Sequence, residues 1–167
     1  TIQEKKKKLK GLKLCYVGDG NNVAHSLMFA GARLGVSVTI ACPPGYEPNP
    51  SATQQAVGDA KATGARIEVV QDPVEGVRNA DVVYTDVWAS MGQESEAEAR
   101  KKIFLPYQVN RELMSKAKKD AIFMHCLPAH RGDEVTDEVI DSPQSVVFDE
   151  AENRLHAQKA IMYQLMK

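Results

Sequence analysis

An α/β fold, a doubly wound parallel sheet with helices on both faces, is what this sequence predicts, and two observations carry the expectation. Short apolar runs alternate with segments of helical period along the whole chain. The runs are continuously apolar rather than alternating, the pattern of parallel strands covered on both sides. Together they describe a Rossmann-like domain.

The elements follow in order. Thr1 to Lys10 reads as the tail of a helix, and its Lys5–Lys8 run as a solvated helix end, since no aromatic or Gly-rich element accompanies it. Leu12–Val17 is the first strand, emptying into Gly18-Asp19-Gly20-Asn21-Asn22. A helix begins near Val23, with Val23, Leu27, Ala30 and Leu34 on one face, and Gly35 ends it. Val36–Ala41 is the second strand, closed by Pro43-Pro44-Gly45. Ser51 is the expected cap of a helix running to Thr63, with Gly64 as its stop. A third strand at Arg66–Val70, a short helix at Pro73–Asn79 and a fourth strand at Asp81–Thr85 come next. Beyond a long loop lie helical pieces at about Glu96–Ile103 and Asn110–Lys118, then a strand at Ala121–Met124. A short helix from Thr136, a last strand at Ser145–Phe148 and a closing helix at Glu150–Met166 complete the order. Leu155, Met162 and Leu165 form one stripe along that final helix.

Composition narrows the function. At 167 residues and 43% hydrophobic, the chain is of one-domain size with enough apolar material for a sizeable core. A net charge of −1 gives no field that would favour nucleic acid or an anionic membrane, so neither is an expected partner. No apolar run approaches the length needed to span a bilayer. Three cysteines, an odd number, with no signal peptide in this sequence, fit reduced thiols and a cytoplasmic location. No metal site and no cofactor is expected.

In an open α/β sheet, ligands sit just past the carboxyl ends of strands, and three such ends carry chemistry here. After the first strand, Gly18-Asp-Gly-Asn-Asn22 has two glycines of a dinucleotide fingerprint but Val23 where the third belongs. The second strand ends in Ala41-Cys42-Pro43, without an acid for a ribose hydroxyl. The turn suits a small anion such as a carboxylate, with Asn22 beside it or simply capping the helix. After the fourth strand, Asp86 can pair with an ammonium, Ser90 adds an acceptor and Gly92 lets the loop bend; the bland alternative is an Asp holding its own loop while Trp88 fills core. After Ala121–Met124 come His125 and Cys126, then Pro128 to stop the strand. A lone Cys there would be ordinary core, as Cys15 and Cys42 are expected to be. An anion site, a cation site and a thiol on neighbouring strand ends fit an α-amino acid with a reactive far end.

These residues carry a resemblance. Gly18-Asp-Gly-Asn-Asn22, Asp86-Val-Trp-Ala-Ser-Met-Gly92, His125-Cys-Leu-Pro128 and Glu152-Asn-Arg154, in this order, resemble the amino-acid-binding domain of the ornithine carbamoyltransferases, over essentially the whole chain. The resemblance implies that Asn22 and the backbone at Met91 hold the L-ornithine carboxylate, and that Asp86 and Ser90 meet its α-amino group. It implies that Cys126 and Leu127 lie where the δ-amine meets carbamoyl phosphate, and that Arg154 reaches the carbamoyl group. The implied reaction gives L-citrulline and phosphate, in a parent built of trimers. It further implies that residues 1–10 are the tail of an interdomain helix and 11–167 the ornithine-binding domain. The Ser-Thr-Arg-Thr and His-Pro-x-Gln segments of the carbamoyl-phosphate domain do not occur here. Alone, the chain is therefore expected to lack turnover, since half a cleft neither positions two reactants nor excludes water.

Chemically, the hard step is the amine. Near neutral pH an alkyl ammonium loses its proton at a cost of roughly 4 kcal/mol. A thiolate from a group with a pKa near 8.5 is a weaker base than that amine, so Cys126 and Asp86 are expected to organise the amine together, without a covalent intermediate. His125 is expected to be half-buried support for the turn, His130 to Gly132 loop, and His25 and His156 to have no role. A free-standing amino-acid-binding regulatory module and a nucleotide-binding Rossmann domain are the alternatives.

Overall fold

The computed structural model describes residues 1–89 and 96–167. Five parallel strands, β1 (Lys13–Val17), β2 (Ser37–Ala41), β3 (Ile67–Val70), β4 (Val82–Thr85) and β5 (Ile122–His125), form one sheet in the order β3-β2-β1-β4-β5. Successive residues of each strand face opposite sides, so a continuously apolar strand feeds two cores. Leu14 and Tyr16 of β1 join Val38 and Ile40 of β2 under Ala24 and Met28 of α2 (Asn22–Leu34) and Ala56 of α3 (Pro50–Ala60). Cys15 and Val17 join Val83 and Phe123 on the other side, beneath α4 (Pro73–Val77), α6 (Arg111–Met114) and α7 (Asp137–Ile140). The doubly wound sheet of the sequence reading is the observed architecture.

α1 (Ile2–Lys6) lies against α8 (Val147–Leu165), where Lys5 pairs with Asp149 at 2.7 Å and Asn153 donates to Thr1 and Glu4. α5 (Ala97–Phe104) runs into a single 3-10 turn at Leu105–Tyr107. No helix among the described residues is long and apolar enough to cross a membrane.

Four local expectations are corrected. The buried residues of α2 are Ala24, Met28, Gly31 and Ala32, while Ala30 and Leu34 of the expected face are exposed. Ser145–Phe148 is not a strand: only Ser145 bridges to Phe123, and the chain turns into α8 at Val147, three residues earlier than the expected helix start at Glu150. Val146 and Val147 still go to opposite cores, which is why the run reads as strand, while Asp149 and Glu150 in the first turn favour the positive helix end. The cap of α3 is Asn49 rather than Ser51. Its Oδ1 accepts the Ser51 N–H at 2.9 Å, with Pro50 supplying the first helical residue. The Asn110–Lys118 helix shrinks to Arg111–Met114, capped by Asn110. The stripe of α8 is open to solvent, with Leu155 58%, Met162 53% and Leu165 81% exposed.

Candidate functional site

The strand order reverses direction between β1 and β4, so the helices following them leave from opposite faces and a crevice opens at their carboxyl ends. Register makes the crevice regular. Val17 pairs with Thr85, and Thr85 with His125, so Gly18, Asp86 and Cys126 are each the first residue past neighbouring strands, in one row.

On the β1 side, Gly18 takes φ 149°, and Gly20 packs against the backbone of the Tyr46–Pro48 loop. A Cβ on Gly20 would stand 2.3 Å from the Pro48 nitrogen, so glycine is required there by close approach. The turn thus held presents Asn21 as the cap of α2, its Oδ1 accepting from Val23 N–H at 3.0 Å and Ala24 N–H at 3.5 Å. The capping alternative considered for Asn22 therefore belongs to Asn21. Asn22 is the first helical residue and is exposed, free of the structural duty.

Past β4, Asp86 is buried, and its Oδ1 accepts the Val87 N–H at 2.8 Å and the Cys126 thiol at 3.1 Å. Partial burial, the bond to Asp86 and the charges of Asp86 and Glu150 push the Cys126 thiol up to about 12. Cys126 is therefore a protonated donor near neutral pH and adds no charge of its own to the crevice. Glu150, at the start of α8, accepts from the Tyr84 hydroxyl at 2.7 Å and the His125 N–H at 3.1 Å; burial raises its carboxyl above the ordinary value. Trp88 is buried against Phe104, ring centroids 6.0 Å apart, as the core alternative had it. Ser90 and Met91, the other two expected ornithine ligands, lie outside the described residues.

Past β5, Leu127 has φ 55° and precedes a cis Pro128. His125 is fully buried rather than half-buried, and it is built into this turn. Its Nδ1 accepts the Leu127 N–H at 2.9 Å, which puts the ring proton on Nε2, facing Glu134 Oε1 at 3.1 Å. Asp86, His125 and Cys126 bring potential ligand atoms within 4.8 Å of one another, but both imidazole nitrogens are already committed to the turn, and recruiting one to a metal would cost that bond. Arg154, exposed on α8, lines with Cys126, Leu127, Pro128 and Phe148 an open groove of about 540 Å³. The expected carbamoyl-phosphate residues thus share one wall.

Two buried charges that no motif announced complete the site. Arg100 of α5 pairs with Asp19 of the first turn, donates from Nε to the Trp88 carbonyl and lies over the Tyr46 ring at 4.9 Å. It ties the loop after β4 to the turn after β1. Glu134 ties both ends of the turn after β5. A charged helix and a polar loop give no periodic signal for either residue; only tertiary burial singles them out.

The profile of the aspartate/ornithine carbamoyltransferase family, Asp/Orn-binding domain, matches residues 10–165. The chain belongs to that family, as its amino-acid-binding domain. It is 65% identical to an ornithine carbamoyltransferase of Thermococcus kodakarensis over 99% of this chain and 53% of the relative, and 62% identical to an anabolic one of Pyrococcus furiosus over 99% and 53%. The solved ornithine carbamoyltransferase from Pyrococcus furiosus superposes with a TM-score of 0.92 at 63% identity, covering 96% of this chain and 51% of that one. That from Gloeobacter violaceus gives 0.92 at 48% identity, over 99% and 55%. The chain spans about half the length of the curated relatives it matches. Neither the regulatory-module nor the nucleotide alternative is favoured by these matches.

Proposed function

We propose that this chain is the L-ornithine-binding half of an ornithine carbamoyltransferase, which joins carbamoyl phosphate to ornithine to give citrulline and phosphate. The observation that carries the proposal is the Asp86–Cys126 pair, level with the Gly18–Asn22 turn at the switch point of the sheet, in a chain 65% identical to such an enzyme. Among the described residues only Oδ1 of Asp86 is engaged, which leaves Oδ2 for a ligand ammonium. Asn22, with Met91, would take the ornithine carboxylate, and Asp86 with Ser90 the α-ammonium. Cys126, Leu127 and Arg154 would then face the carbamoyl group.

The reaction needs an uncharged δ-amine, whose lone pair forms the new N–C bond as the C–O bond to phosphate breaks, the surplus N–H proton passing to the departing phosphate. A protonated Cys126 is no base. Its part is to donate to Asp86, fixing the direction of that carboxylate and keeping a second anion out of the crevice. A single negative charge binds the amino acid without the excess that would hold the δ-amine protonated. Positioning by this wall and closure by a carbamoyl-phosphate-binding domain would supply most of the rate. A cytoplasmic trimer fits the family resemblance.

Calorimetric titration with L-ornithine, with and without carbamoyl phosphate, tests the proposal. Binding by the unaltered chain that is lost in Asp86→Ala supports it. Equal binding by both would remove Asp86 from the site, and absence of binding in the presence of carbamoyl phosphate and an added carbamoyl-phosphate domain would sink the assignment.

A further inference from the structure

The His125–His130 turn carries Cys126 and Leu127, and a single buried carboxylate oxygen holds both of its ends. Glu134 is 1% exposed. Its Oε1 faces His125 Nε2 at 3.1 Å and accepts the His130 backbone N–H at 2.6 Å. The middle of the turn is held from inside, because His125 Nδ1 accepts the Leu127 N–H at 2.9 Å. The chain of bonds therefore runs from Glu134 through the imidazole to the amide of the residue that follows the thiol. Leu127 sits in the left-handed region, where a branched side chain is uncommon, and that conformation persists only where surroundings over-determine it. Three bonds in the turn do so. Glu134 Oε2 is buried with no hydrogen-bond partner among the described residues, the His130 ring Nδ1 standing 3.8 Å from it.

We propose that Glu134 is a positioning residue for the transfer reaction: through His125 it fixes the tautomer of the imidazole and the set of the Cys126–Leu127 backbone, and so aims the Cys126 thiol at Asp86. In its catalytic meaning this rests on the function proposed above; the clamp itself is a property of the fold. Glu134, 1% exposed, has no face open to a substrate. It acts on the wall that does, much as partners behind a ligating histidine set its orientation.

Thiol reactivity reads the aim directly, on the chain as it stands. Cys126 is exposed, whereas Cys15 and Cys42 are buried and report any general loosening. The probe is iodoacetamide at a fixed pH of about 8, which attacks through the thiolate, with alkylation of each cysteine followed by peptide mass spectrometry. Glu134→Ala is expected to raise the Cys126 rate at least about tenfold as the thiol leaves Asp86, with Cys15 and Cys42 still protected. Glu134→Gln keeps an oxygen that can accept both N–H bonds, and it is expected to stay within about twofold of the unaltered chain.

An unchanged Cys126 rate in Glu134→Ala overturns the proposal. So does a rise shared by all three cysteines, which would make Glu134 a general stability residue, and so does a Glu134→Gln rate equal to that of Glu134→Ala. If Glu134→Ala does not fold, ring-nitrogen NMR of the unaltered chain decides. The His125 proton on Nε2 supports the clamp, and a proton on Nδ1 overturns it. Protection of Cys126 by L-ornithine tests the function separately. Lack of protection in the presence of carbamoyl phosphate and an added carbamoyl-phosphate domain, together with a fast Glu134→Ala, would retire the ornithine assignment and leave the clamp; normal protection with an unchanged Glu134→Ala would do the reverse.

Discussion

Replacing Arg100 by methionine removes a guanidinium while keeping much of its length and apolar stem. Arg100 and Asp19 have side chains only 6% and 14% exposed, so the deletion leaves a carboxylate in a nearly dry place and strips the Trp88 carbonyl of its donor. Breaking a buried pair by removing one partner costs about 3–5 kcal/mol, and the loss of the cation lying over Tyr46 and Phe104 adds to it. In a domain of this size that amounts to a fall in melting temperature of roughly 6–20 °C. The loss should also depend on pH. Burial already raises the Asp19 carboxyl above its ordinary value, against the pull of Arg100. With that pull removed, the folded value climbs further. A raised folded value contributes stability below the unfolded value of about 3.9, lost as pH rises through the folded value. Arg100→Met should therefore be most destabilised at pH 8 and less so at pH 5, where Asp19 is nearer to taking up a proton. Urea unfolding followed by Trp88 fluorescence at both pH values measures this, and Asp19→Asn in the Arg100→Met background should restore part of the pH 8 loss. A penalty below about 1 kcal/mol, or one equal at the two pH values, would refute the view of Arg100 as a buried tie between the two loops.

Other outcomes follow from the same geometry. Gly20→Ala should cost about 3 kcal/mol or more, because the clash is with backbone that cannot swing aside; an unshifted urea midpoint would contradict this. Asn21→Ala should lose about 1 kcal/mol as a helix cap, whereas Asn22→Ala should stay within about 0.5 kcal/mol and instead weaken ornithine binding. Calorimetry and thermal melts on the two variants separate the roles, and the reverse pattern would exchange them. Burial pushes Cys15 and Cys42 up to about 12, so their contribution to stability is complete below the ordinary thiol value near 8.5 and is lost as pH rises towards 12. The melting temperature should fall between pH 8.5 and 10, with a shallower slope in Cys15→Ala; a flat profile would show that neither thiol is as deeply desolvated as its burial implies.

The strands were legible because burial on both faces favours one kind of residue, and a run such as Ala121–Met124 has little else it can become. The Asp86–Cys126 contact was legible as two strand-end positions, since a parallel sheet aligns the ends of neighbours. Other details were decided by alternatives of nearly equal local merit. Asn49 and Ser51 are both capping residues, and Pro50 between them settles the matter by favouring the first helical position. Asn21 and Asn22 differ by one residue along a tight turn whose path is set by the contact of Gly20 with a distant loop. The Ser145–Phe148 run has strand composition, but with only one bridge to β5 the chain enters α8 instead. Arg100 and Glu134 were invisible because a charge on a helix or in a loop normally faces water; their burial comes from rings and turns supplied by remote parts of the chain.

The alignment of β1, β4 and β5 also governs when the crevice comes into being during folding. Asp86 and Cys126 are 40 residues apart, and each meets its neighbours only after a crossover has been closed and a parallel strand has docked. Parallel pairings of this kind form slowly, because the entropy of loop closure is spent before the contacts repay it. Among the described residues no hairpin or local helix pair brings Asp86 and Cys126 together. A refolding chain should regain helical signal before Cys126 regains its contact with Asp86, and that contact should return with the last of the five strands rather than by degrees.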